Sequence, residues 1–403
     1  MSEWKKVKLG EICERVTSGG TPKANISSYY YPPIIPWLKT KEVNYCRITE
    51  TENFISEEGL NNSSAKLIAP NSVIVAMYGQ GDTAGRVAIN KIPLTTNQAC
   101  CNLTIDESKA DYEFIYYQLC TLYNKMVSLK AGAAQPNLNA QIIKNIEVKL
   151  PSLPIQHRIS SILSRYDSLI ENYQKQIKLL EEAAQRLYKE WFVDLHFPGH
   201  ENIKIVDGVP EGWRKGVLGD IAYESGKKTN KNNRDYYNCY LPIDCLPKHS
   251  LTYLTQADIK MAESSLVSFE ENDIIFGAMR PYFHKVCFAQ SKGLTRTTCF
   301  VLNSKEKEYR EFLLMLLFED STVKHATSIS VGTTMPYTRW KEFKSMEVIL
   351  PSRDVAVSFS KNISCTTTLL KHYSSQIHLL TEARDRLLPM LMSGEIDMEE
   401  KTA

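Results

Sequence analysis

The 403-residue sequence lacks the features that mark membrane, secreted and strongly charged proteins. It has no run approaching the ~20 apolar residues of a membrane-spanning helix, and Met1–Lys6 has no apolar run behind it. Its 48 Lys and Arg residues nearly balance its 46 Asp and Glu residues, so the net charge of +2 does not indicate a nucleic-acid partner. We therefore expect a soluble, cytoplasmic protein in which any basic surface is local.

The cysteines form neither a C-x-x-C pair nor a zinc-ligand spacing. This scatter is typical of buried thiols in a protein of the reducing cytoplasm. We therefore predict no metal site and no cofactor. The ten cysteines are Cys13, Cys46, Cys100, Cys101, Cys120, Cys239, Cys245, Cys287, Cys299 and Cys365.

Catalytic signatures are also missing. Gly79-x-Gly-x-x-x-Gly85 resembles a nucleotide-binding loop, but a predicted strand follows it, so no helix N-terminus faces a phosphate. Tyr30-Tyr-Pro-Pro-Ile34 is similar to the Asn/Asp-Pro-Pro-aromatic motif of amino-methyltransferases, but it lacks the amide that would hold the target amino group. His196 and His200 have the i, i+4 spacing of metal ligands, but the Pro-Gly pair between them breaks the required helix. We predict a chain that is not an enzyme.

The sequence does contain a long heptad repeat between Ile159 and Trp191. Apolar residues recur at alternating steps of four and three, which is the repeat of a coiled-coil seam. At ~1.5 Å per residue this stretch forms a rod of roughly 50 Å with one apolar stripe, and such a rod needs a partner helix. The stripe consists of Ile159, Leu163, Tyr166, Ile170, Tyr173, Ile177, Leu180, Ala184, Leu187 and Trp191.

The stripe recurs 200 residues later, which indicates an internal duplication with a long helix in each copy. Ile177–Leu187 also aligns in sequence with Ile377–Leu387, and only Thr366 and Arg384 depart from the apolar pattern. Two unrelated amphipathic helices, each packed on its own domain, are the less favoured interpretation because register and sequence agree together. The second stripe is Phe359, Ile363, Thr366, Leu370, Tyr373, Ile377, Leu380, Arg384, Leu387 and Leu391.

The limits of each copy are marked by two shared patterns. Trp4–Ile12 and Trp213–Ile221 open the copies alike, and each globular part ends in a strand closing on Leu-Pro-Ser, at Leu150 and Leu350. Proline cannot continue the hydrogen bonding of a strand, so it marks the passage to the long helix. The predicted fold class is α+β, with two tandem globular domains, each followed by a long helix. The predicted boundaries are 1–152 and 213–352 for the globular domains, 153–195 and 353–395 for the helices, 196–212 for the linker and 396–403 for the tail.

Local patterns add further elements to the first copy. They predict a strand over Ile35–Val43 and a helix over Asp111–Leu129. Gly-led loops follow the helical segments of the two copies, at Gly132–Asn139 and Gly332–Thr338. The loops between the strands differ between the copies, which suggests two globular parts that recognise different targets in one arrangement.

The polar loops contain the candidate binding residues. Gly226–Asp235 carries four cations with amides between them, which suits contacts with phosphates and base edges. Asn and Gln can bond an adenine edge and Arg a guanine edge, each worth ~1–3 kcal/mol of discrimination. A solvated surface turn is an equally good interpretation of any single residue in that segment. The candidate contacts are Lys39, Thr40, Lys41, Arg86, Asn97, Gln98, Gln135 and Asn137 in the first copy, and Lys227, Lys228, Lys231, Arg234, Arg280, His284, Lys285 and Arg296 in the second.

The layout, the paired Leu-Pro-Ser junctions, Pro154–Ile159 leading into the heptads and the Val-Leu-Gly-Asp-Ile221 opening resemble the specificity subunit of type I restriction-modification systems. The resemblance covers nearly the whole chain. It implies two target-recognition domains and two long helices that pair as an antiparallel coiled coil and act as a spacer. It also implies that double-stranded DNA, two DNA adenine methyltransferase subunits and endonuclease/translocase subunits are the partners. Gln156-His-Arg158 has no match in Val355-Ala-Val357, which leaves room for unequal methyltransferase contacts.

A rigid spacer gives this resemblance a physical basis. DNA repeats its major groove every ~34–36 Å, so a rod of this order lets two domains read half-sites about one turn apart. We therefore expect an asymmetric bipartite DNA target. The main alternative is an adaptor whose coiled coil joins protein partners and whose globular parts bind protein. The recognition portion of a single-chain restriction enzyme is disfavoured because no catalytic segment precedes or follows.

Overall fold

A computed structural model describes residues 4–130 and 137–398. Two compact units are distinguished: unit 1 comprises Met1–Ser168 and Thr381–Ala403, and unit 2 comprises Leu169–Leu380. Each long helix therefore contributes one part to each unit. Among the described residues, no helix combines the length and the apolar character needed to cross a membrane.

Unit 1 contains ten strands and four short helices before the first long helix, counted over its described residues. The strands are β1 (Lys5–Lys8), β2 (Cys13–Ser18), β3 (Ile35–Leu38), β4 (Cys46–Ile48), β5 (Phe54–Ile55), β6 (Val73–Ala76), β7 (Val87–Asn90), β8 (Thr95–Thr96), β9 (Cys100–Ile105) and β10 (Glu147–Leu150). The helices are α1 (Glu57–Asn61), α2 (Tyr112–Thr121), α3 (Tyr123–Ser128), α4 (Ala140–Lys144) and the long α5 (Leu153–Tyr188).

The core of unit 1 lies on both faces of a five-stranded sheet with the order β2-β9-β6-β7-β4. Successive side chains of a strand point to opposite faces. Val73 and Val75 of β6 therefore pack with Phe114 of α2, while Ile74 and Ala76 pack in a second cluster with Leu38 of β3. Since both faces are covered, β6 is an unbroken apolar run.

Unit 2 repeats this arrangement. Its strands are β11 (Ile205–Val206), β12 (Val209–Pro210), β13 (Arg214–Val217), β14 (Ala222–Glu224), β15 (Lys227–Thr229), β16 (Cys239–Tyr240), β17 (Leu266–Phe269), β18 (Ile274–Gly277), β19 (Val286–Phe288), β20 (Gly293–Arg296), β21 (Cys299–Ser304) and β22 (Glu347–Leu350). Its helices are α6 (Leu218–Ile221), α7 (Arg310–Phe318), α8 (Asp320–Ser328), α9 (Trp340–Phe343) and the second long helix α10 (Arg353–Ser393), which continues into unit 1.

Two four-stranded sheets of unit 2, β14-β21-β18-β19 and β15-β17-β20-β16, correspond to the two larger sheets of unit 1. Ile274 and Phe276 of β18 pack with α7, and Ile275 packs on the opposite face with Leu241 and Phe269. In both units a two-stranded ribbon, β1-β10 or β13-β22, pairs the first strand of the copy with the last. The duplication in the sequence is thus a duplication of the fold.

The two long helices run antiparallel within each unit. In unit 1, Arg158 Nη1 donates to the Met398 carbonyl at 2.9 Å and Asp167 pairs with Arg384. In unit 2, the rings of Tyr173 and Tyr373 lie 5.1 Å apart. The heptad residues are buried or half-buried in the unit to which they belong, as the repeat predicts. They are Ile159, Leu163, Tyr166, Leu387 and Leu391 in unit 1, and Ile170, Tyr173, Ile177, Leu180, Leu187, Phe359, Ile363, Leu370, Tyr373, Ile377 and Leu380 in unit 2.

Three local predictions need correction. The predicted strand Ile35–Val43 ends at Leu38, because a 3-10 turn begins at Thr40 and the Glu42 carboxylate accepts the Lys39 N–H at 3.0 Å. The helix expected over Asp111–Leu129 is interrupted at Leu122, whose N–H is shared between two carbonyls. Cys365 is exposed, and four other cysteines are only half-buried.

The linker predicted at 196–212 contains structure of its own. The β11-β12 hairpin turns at Asp207-Gly208, where both residues have the positive φ values of a tight hairpin turn. Phe197 and Trp213 at its two ends are buried, with ring centroids 4.8 Å apart. The segment therefore packs as part of unit 2.

Candidate nucleic-acid interfaces

Equivalent backbone hydrogen bonds bring three loop segments together in each unit. In unit 1 the Met77 N–H donates to the Ala99 carbonyl at 2.8 Å, and the Leu138 N–H donates to the Met77 carbonyl at 3.0 Å. These bonds join the end of β6, the turn before β9 and the loop before α4. We call the side chains around this junction, namely Lys39, Thr40, Tyr78, Asn97, Gln98 and Asn137, the strand-end surface of unit 1.

Lys39 and Thr40 join this surface because β3 and β8 are parallel. Leu38 lies opposite Thr96, and the Asn97 N–H donates to the Leu38 carbonyl at 2.9 Å. Both strands therefore end at the same edge of the sheet. The Lys39 ammonium donates to Asn53 Oδ1 at 2.9 Å and lies 4.8 Å from the Trp37 ring centre, so it is held in place.

A glycine turn supports the same edge. The Gly20 N–H donates to the Thr96 carbonyl at 2.8 Å, and a Cβ on Gly19 would lie 2.2 Å from that carbonyl oxygen. Only glycine allows this close approach. The turn places the Thr21 hydroxyl against Gln98, whose Oε1 accepts its hydrogen bond. The amide of Gln98 is thereby oriented on the exposed surface.

Two predicted cations of unit 1 are engaged by acids. Lys41 forms an ion pair with Glu52. Arg86 Nη2 lies 2.5 Å from Asp82 Oδ1 and Nη1 lies 2.9 Å from Asn44 Oδ1. Such surface pairs are worth only ~0–1 kcal/mol, so a phosphate can replace the carboxylates. The Gly79–Gly85 loop, whose Asp82 pairs with Arg86, leads into strand β7, as predicted.

Unit 2 contains the same junction with other side chains. The Ala278 N–H donates to the Thr298 carbonyl at 3.0 Å, and the Thr338 N–H donates to the Ala278 carbonyl at 2.9 Å. The strand-end surface of unit 2 consists of Met279, Arg280, Arg296, Thr297, Thr334, Met335 and Tyr337.

Arg280 and Arg296 meet at this junction from different parts of the chain. The Arg280 N–H donates to the Pro336 carbonyl at 2.7 Å and Nη2 donates to the Thr334 carbonyl at 3.2 Å. The Tyr337 hydroxyl donates to the Thr297 carbonyl at 3.1 Å, which brings the residue after Arg296 to the same loop. Arg296 is exposed and forms no ion pair with any other described residue. The Arg280 guanidinium thus contacts this loop directly, and Arg296 lies next to the residue that the loop contacts.

The basic segment Lys227–Tyr236 lies at the same end of its sheet as Arg296. Thr229, Leu266 and Arg296 are neighbours across β15, β17 and β20. Lys227 and Lys228 are exposed on the edge strand. Lys231 and Arg234 lie 3.3 Å and 3.9 Å from the carboxylate of Glu263. Tyr236 is 76% exposed beside them, an aromatic ring available for stacking.

The structure does not offer His284 and Lys285 as DNA contacts. His284 is 4% exposed, and burial, followed by the neighbouring His249, lowers the pKa of its imidazole. The Lys285 ammonium donates to the Ile243 carbonyl at 2.5 Å, and burial lowers its pKa. Both residues lie at the end of a tight turn, where His284 has φ +49°.

Two of the predicted contact residues of unit 1 are still to be placed. Gln135 lies outside the described residues. Asn137 is half-buried on the strand-end surface of unit 1.

Tyr78, Thr297 and Thr334 share these surfaces but were not predicted, since tertiary hydrogen bonds, not a local pattern, place them there. The sequence shows Tyr236 and Tyr31 as aromatic residues in polar loops, but it does not show that their rings are exposed.

The chain matches the family model described as the type I restriction modification DNA specificity domain over residues 1–182 and 210–377. It is 27% identical to the MjaIX type I restriction enzyme specificity subunit of Methanocaldococcus jannaschii, covering 99% of this chain and 94% of that one. The MjaVIII specificity subunit of the same organism is 23% identical over 98% of this chain and 93% of its own length. Among solved structures, the S subunit of a type I restriction-modification system from M. genitalium has a TM-score of 0.62, with 16% identity and 96% coverage of each chain. That structure therefore shares the fold.

Proposed function

Since the chain belongs to the type I restriction modification DNA specificity domain family, we propose that it is the sequence-specific DNA-binding subunit of a restriction-modification complex. In this proposal each globular domain reads one half of a bipartite target. The observation that carries it is the duplicated strand-end surface, built by the same backbone hydrogen bonds and furnished with different side chains. One scaffold presenting two different surfaces is what an asymmetric target requires.

The side chains suggest how the two halves differ. The strand-end surface of unit 1 presents the amides Asn97, Gln98 and Asn137, and amides bond adenine edges with two hydrogen bonds. The strand-end surface of unit 2 presents Arg280 and Arg296, and arginine favours guanine edges. The basic segment Lys227–Tyr236, with Lys41 and Arg86 of unit 1, supplies contacts with phosphates that hold the protein in register.

The long helices set the distance between the two half-sites in this proposal. At ~1.5 Å per residue, the 36 residues of α5 extend about 54 Å. This length is of the order of one to two turns of DNA, whose major groove repeats every ~34–36 Å. The helices therefore leave a gap of unread base pairs between the halves.

In this proposal the chain is a non-catalytic subunit and has no cofactor of its own. The long helices bind the catalytic partners. Leu179 and Leu379 are 64% and 53% exposed, and Leu169 and Leu369 are 46% and 40% exposed. Large apolar side chains exposed in such numbers mark protein contacts. Because the pairs are related by the duplication, they offer similar contacts to two DNA adenine methyltransferase subunits. Endonuclease/translocase subunits complete the complex, which works in the cytoplasm.

The test is a map of methylated adenines in a host that lacks its own adenine methylation and expresses this chain with its methyltransferase subunit. We expect one interrupted motif, and we expect that exchanging residues 1–152 for those of another specificity subunit changes one half of that motif only. Methyltransferase expressed without this chain is the matched control. An assembled complex that methylates no motif, or an exchange that alters both halves, contradicts the proposal and favours a protein adaptor.

A further inference from the structure

Unit 2 contains a cluster of two histidines and one carboxylate outside the strand-end surface. His249, His284 and Asp320 each offer a ligand atom, and these atoms all lie within 4.8 Å of one another. His284 Nδ1 lies 3.1 Å from Asp320 Oδ1, and the two imidazole centres are 4.3 Å apart. Three separate elements bring the cluster together: a loop, the end of a 3-10 turn and the first residue of α8.

The backbone holds both histidines in unusual conformations. His249 has φ +51° and His284 has φ +49°, in the left-handed region that residues other than glycine rarely adopt. The His249 N–H donates to the His284 carbonyl at 2.9 Å, which couples the two turns. Strained residues of this kind persist where the surrounding structure imposes them, and they concentrate at functional sites.

The second observation is a small cavity at the cluster. It has a volume of about 150 Å³ and is lined by His284, which is 4% exposed, together with Gln185, His249, Glu319 and Asp320. The ligand atoms of the cluster therefore surround a space large enough for one ion.

We propose that His249, His284 and Asp320 bind a zinc ion. Imidazole and carboxylate ligands suit Zn²⁺, which binds them at ~2.0–2.2 Å and is usually four-coordinate. Ligand atoms around a tetrahedral zinc lie about 3.3 Å apart, close to the separation of His284 and Asp320. His249 and Asp320 have exposed side chains that can rotate to close the widest separation. Glu319 or a water molecule completes the coordination.

Zinc would join the loop that contains His249 to the start of α8 within unit 2. His249 directly precedes Ser250 and Leu251, whose hydroxyl and N–H both donate to Glu181 of α5 at 2.9 Å. Fixing His249 against α8 therefore fixes the loop that contacts the long helix. The sequence did not indicate this site, and we predicted no metal, because the three ligands are 35 and 36 residues apart. Only the turns at His249 and His284 bring them together.

The test measures Zn²⁺ binding to the full chain in complex with its methyltransferase subunits, after treatment with a chelator. Competition with a chromophoric chelator gives the affinity, and Co²⁺ absorption reports tetrahedral coordination. We expect one Zn²⁺ per chain, and a loss of at least about tenfold in affinity in His249→Ala and in Asp320→Asn. Because both side chains are exposed, these variants should fold, which circular dichroism verifies.

Two variants serve as matched controls. His372→Ala removes an exposed histidine outside the cluster, and Cys365→Ser removes the exposed thiol that could bind zinc by itself. We expect both to bind Zn²⁺ like the unmodified chain. Failure of the unmodified chain to bind Zn²⁺, equal binding by His249→Ala and Asp320→Asn, or a loss that follows Cys365→Ser instead would overturn the proposal.

Discussion

Arg384 Nη1 lies 2.7 Å from Asp167 Oδ1, an ion pair between side chains 217 residues apart in the sequence. It joins the two long helices within unit 1. Asp167 is also bound by the Tyr117 hydroxyl, and its Oδ2 lies 3.7 Å from Arg47 Nη1. The pair explains why Arg384 departs from the apolar heptad pattern, since this position of the seam faces a buried carboxylate.

Removal of Arg384 should destabilise the protein. Breaking a buried ion pair typically costs ~3–5 kcal/mol, and because Arg47 and Tyr117 remain beside Asp167, we expect about 2–3 kcal/mol for Arg384→Ala. Urea unfolding measures this loss. Arg386→Ala is the matched control, since Arg386 is exposed and, among the described residues, pairs only with Glu382 on the same helix. It should change stability by less than ~0.5 kcal/mol. Equal losses in both variants would contradict the assignment.

Glu181 should make stability depend on pH. Burial raises the pKa of this carboxyl from 4.5 to about 7, despite the hydrogen bonds from Ser250 and Leu251. The folded state therefore retains a proton between these values that the unfolded state releases, so stability is lost as pH rises from 4.5 through about 7.

Glu181→Gln keeps an acceptor oxygen for Ser250 and Leu251 but carries no charge. We expect this variant to be more stable than the unmodified protein at pH 8, by up to about 3 kcal/mol, and nearly equal to it at pH 4. Melting temperatures across this range measure the difference. Glu182→Gln, which alters an accessible neighbour paired with Arg186, should follow the unmodified protein at every pH.

Base reading should separate the two strand-end surfaces. Arg296→Ala should relax one position of the half read by unit 2 at a cost of ~1–3 kcal/mol, and Gln98→Ala should relax one position of the other half. Lys228→Ala should weaken binding to all sequences about equally, because a phosphate contact carries no base information. Competition binding with DNA duplexes varied one base pair at a time tests this. A change in the same half from both variants would refute the assignment.

Spacer length should set the gap between the half-sites. Two heptads inserted after Ser168 and after Leu380 fall at the boundary between the units in both helices, so the contacts within each unit are kept. Fourteen residues add about 21 Å, or roughly six base pairs of gap. Methylation mapping measures the gap. The same insertion in α5 alone should abolish methylation, because the antiparallel heptads lose register. An unchanged gap in the protein with both insertions would rule out the spacer role.

The exposed leucines should control methyltransferase assembly. Leu179→Glu and Leu379→Glu should each reduce the bound methyltransferase from two copies to one, because a carboxylate cannot be buried in an apolar contact. Native mass spectrometry counts the copies. Met261→Glu alters an equally exposed apolar residue of unit 2 away from the long helices and should leave both copies bound. Two copies on the Leu179→Glu, Leu379→Glu double variant would exclude these contacts.

The sequence alone determined the plan of this protein. The heptad stripes, their recurrence after 200 residues and the proline that closes each globular part are local periodicities, which a single strand or helix expresses without help from the rest of the chain. They sufficed for the α+β fold class, the duplication, the buried faces of α5 and α10 and the family resemblance.

Which polar residues come together depends on the packing of distant segments. Lys41 and Arg86 bind nearby carboxylates, His284 is buried, and Tyr78 joins the strand-end surface through hydrogen bonds of its neighbours. The partner of Arg384 is likewise set by the packing of two helices. A charged or amide side chain is compatible with a solvated surface, an ion pair or a ligand contact. Its role depends on groups tens to hundreds of residues away, which no local pattern contains.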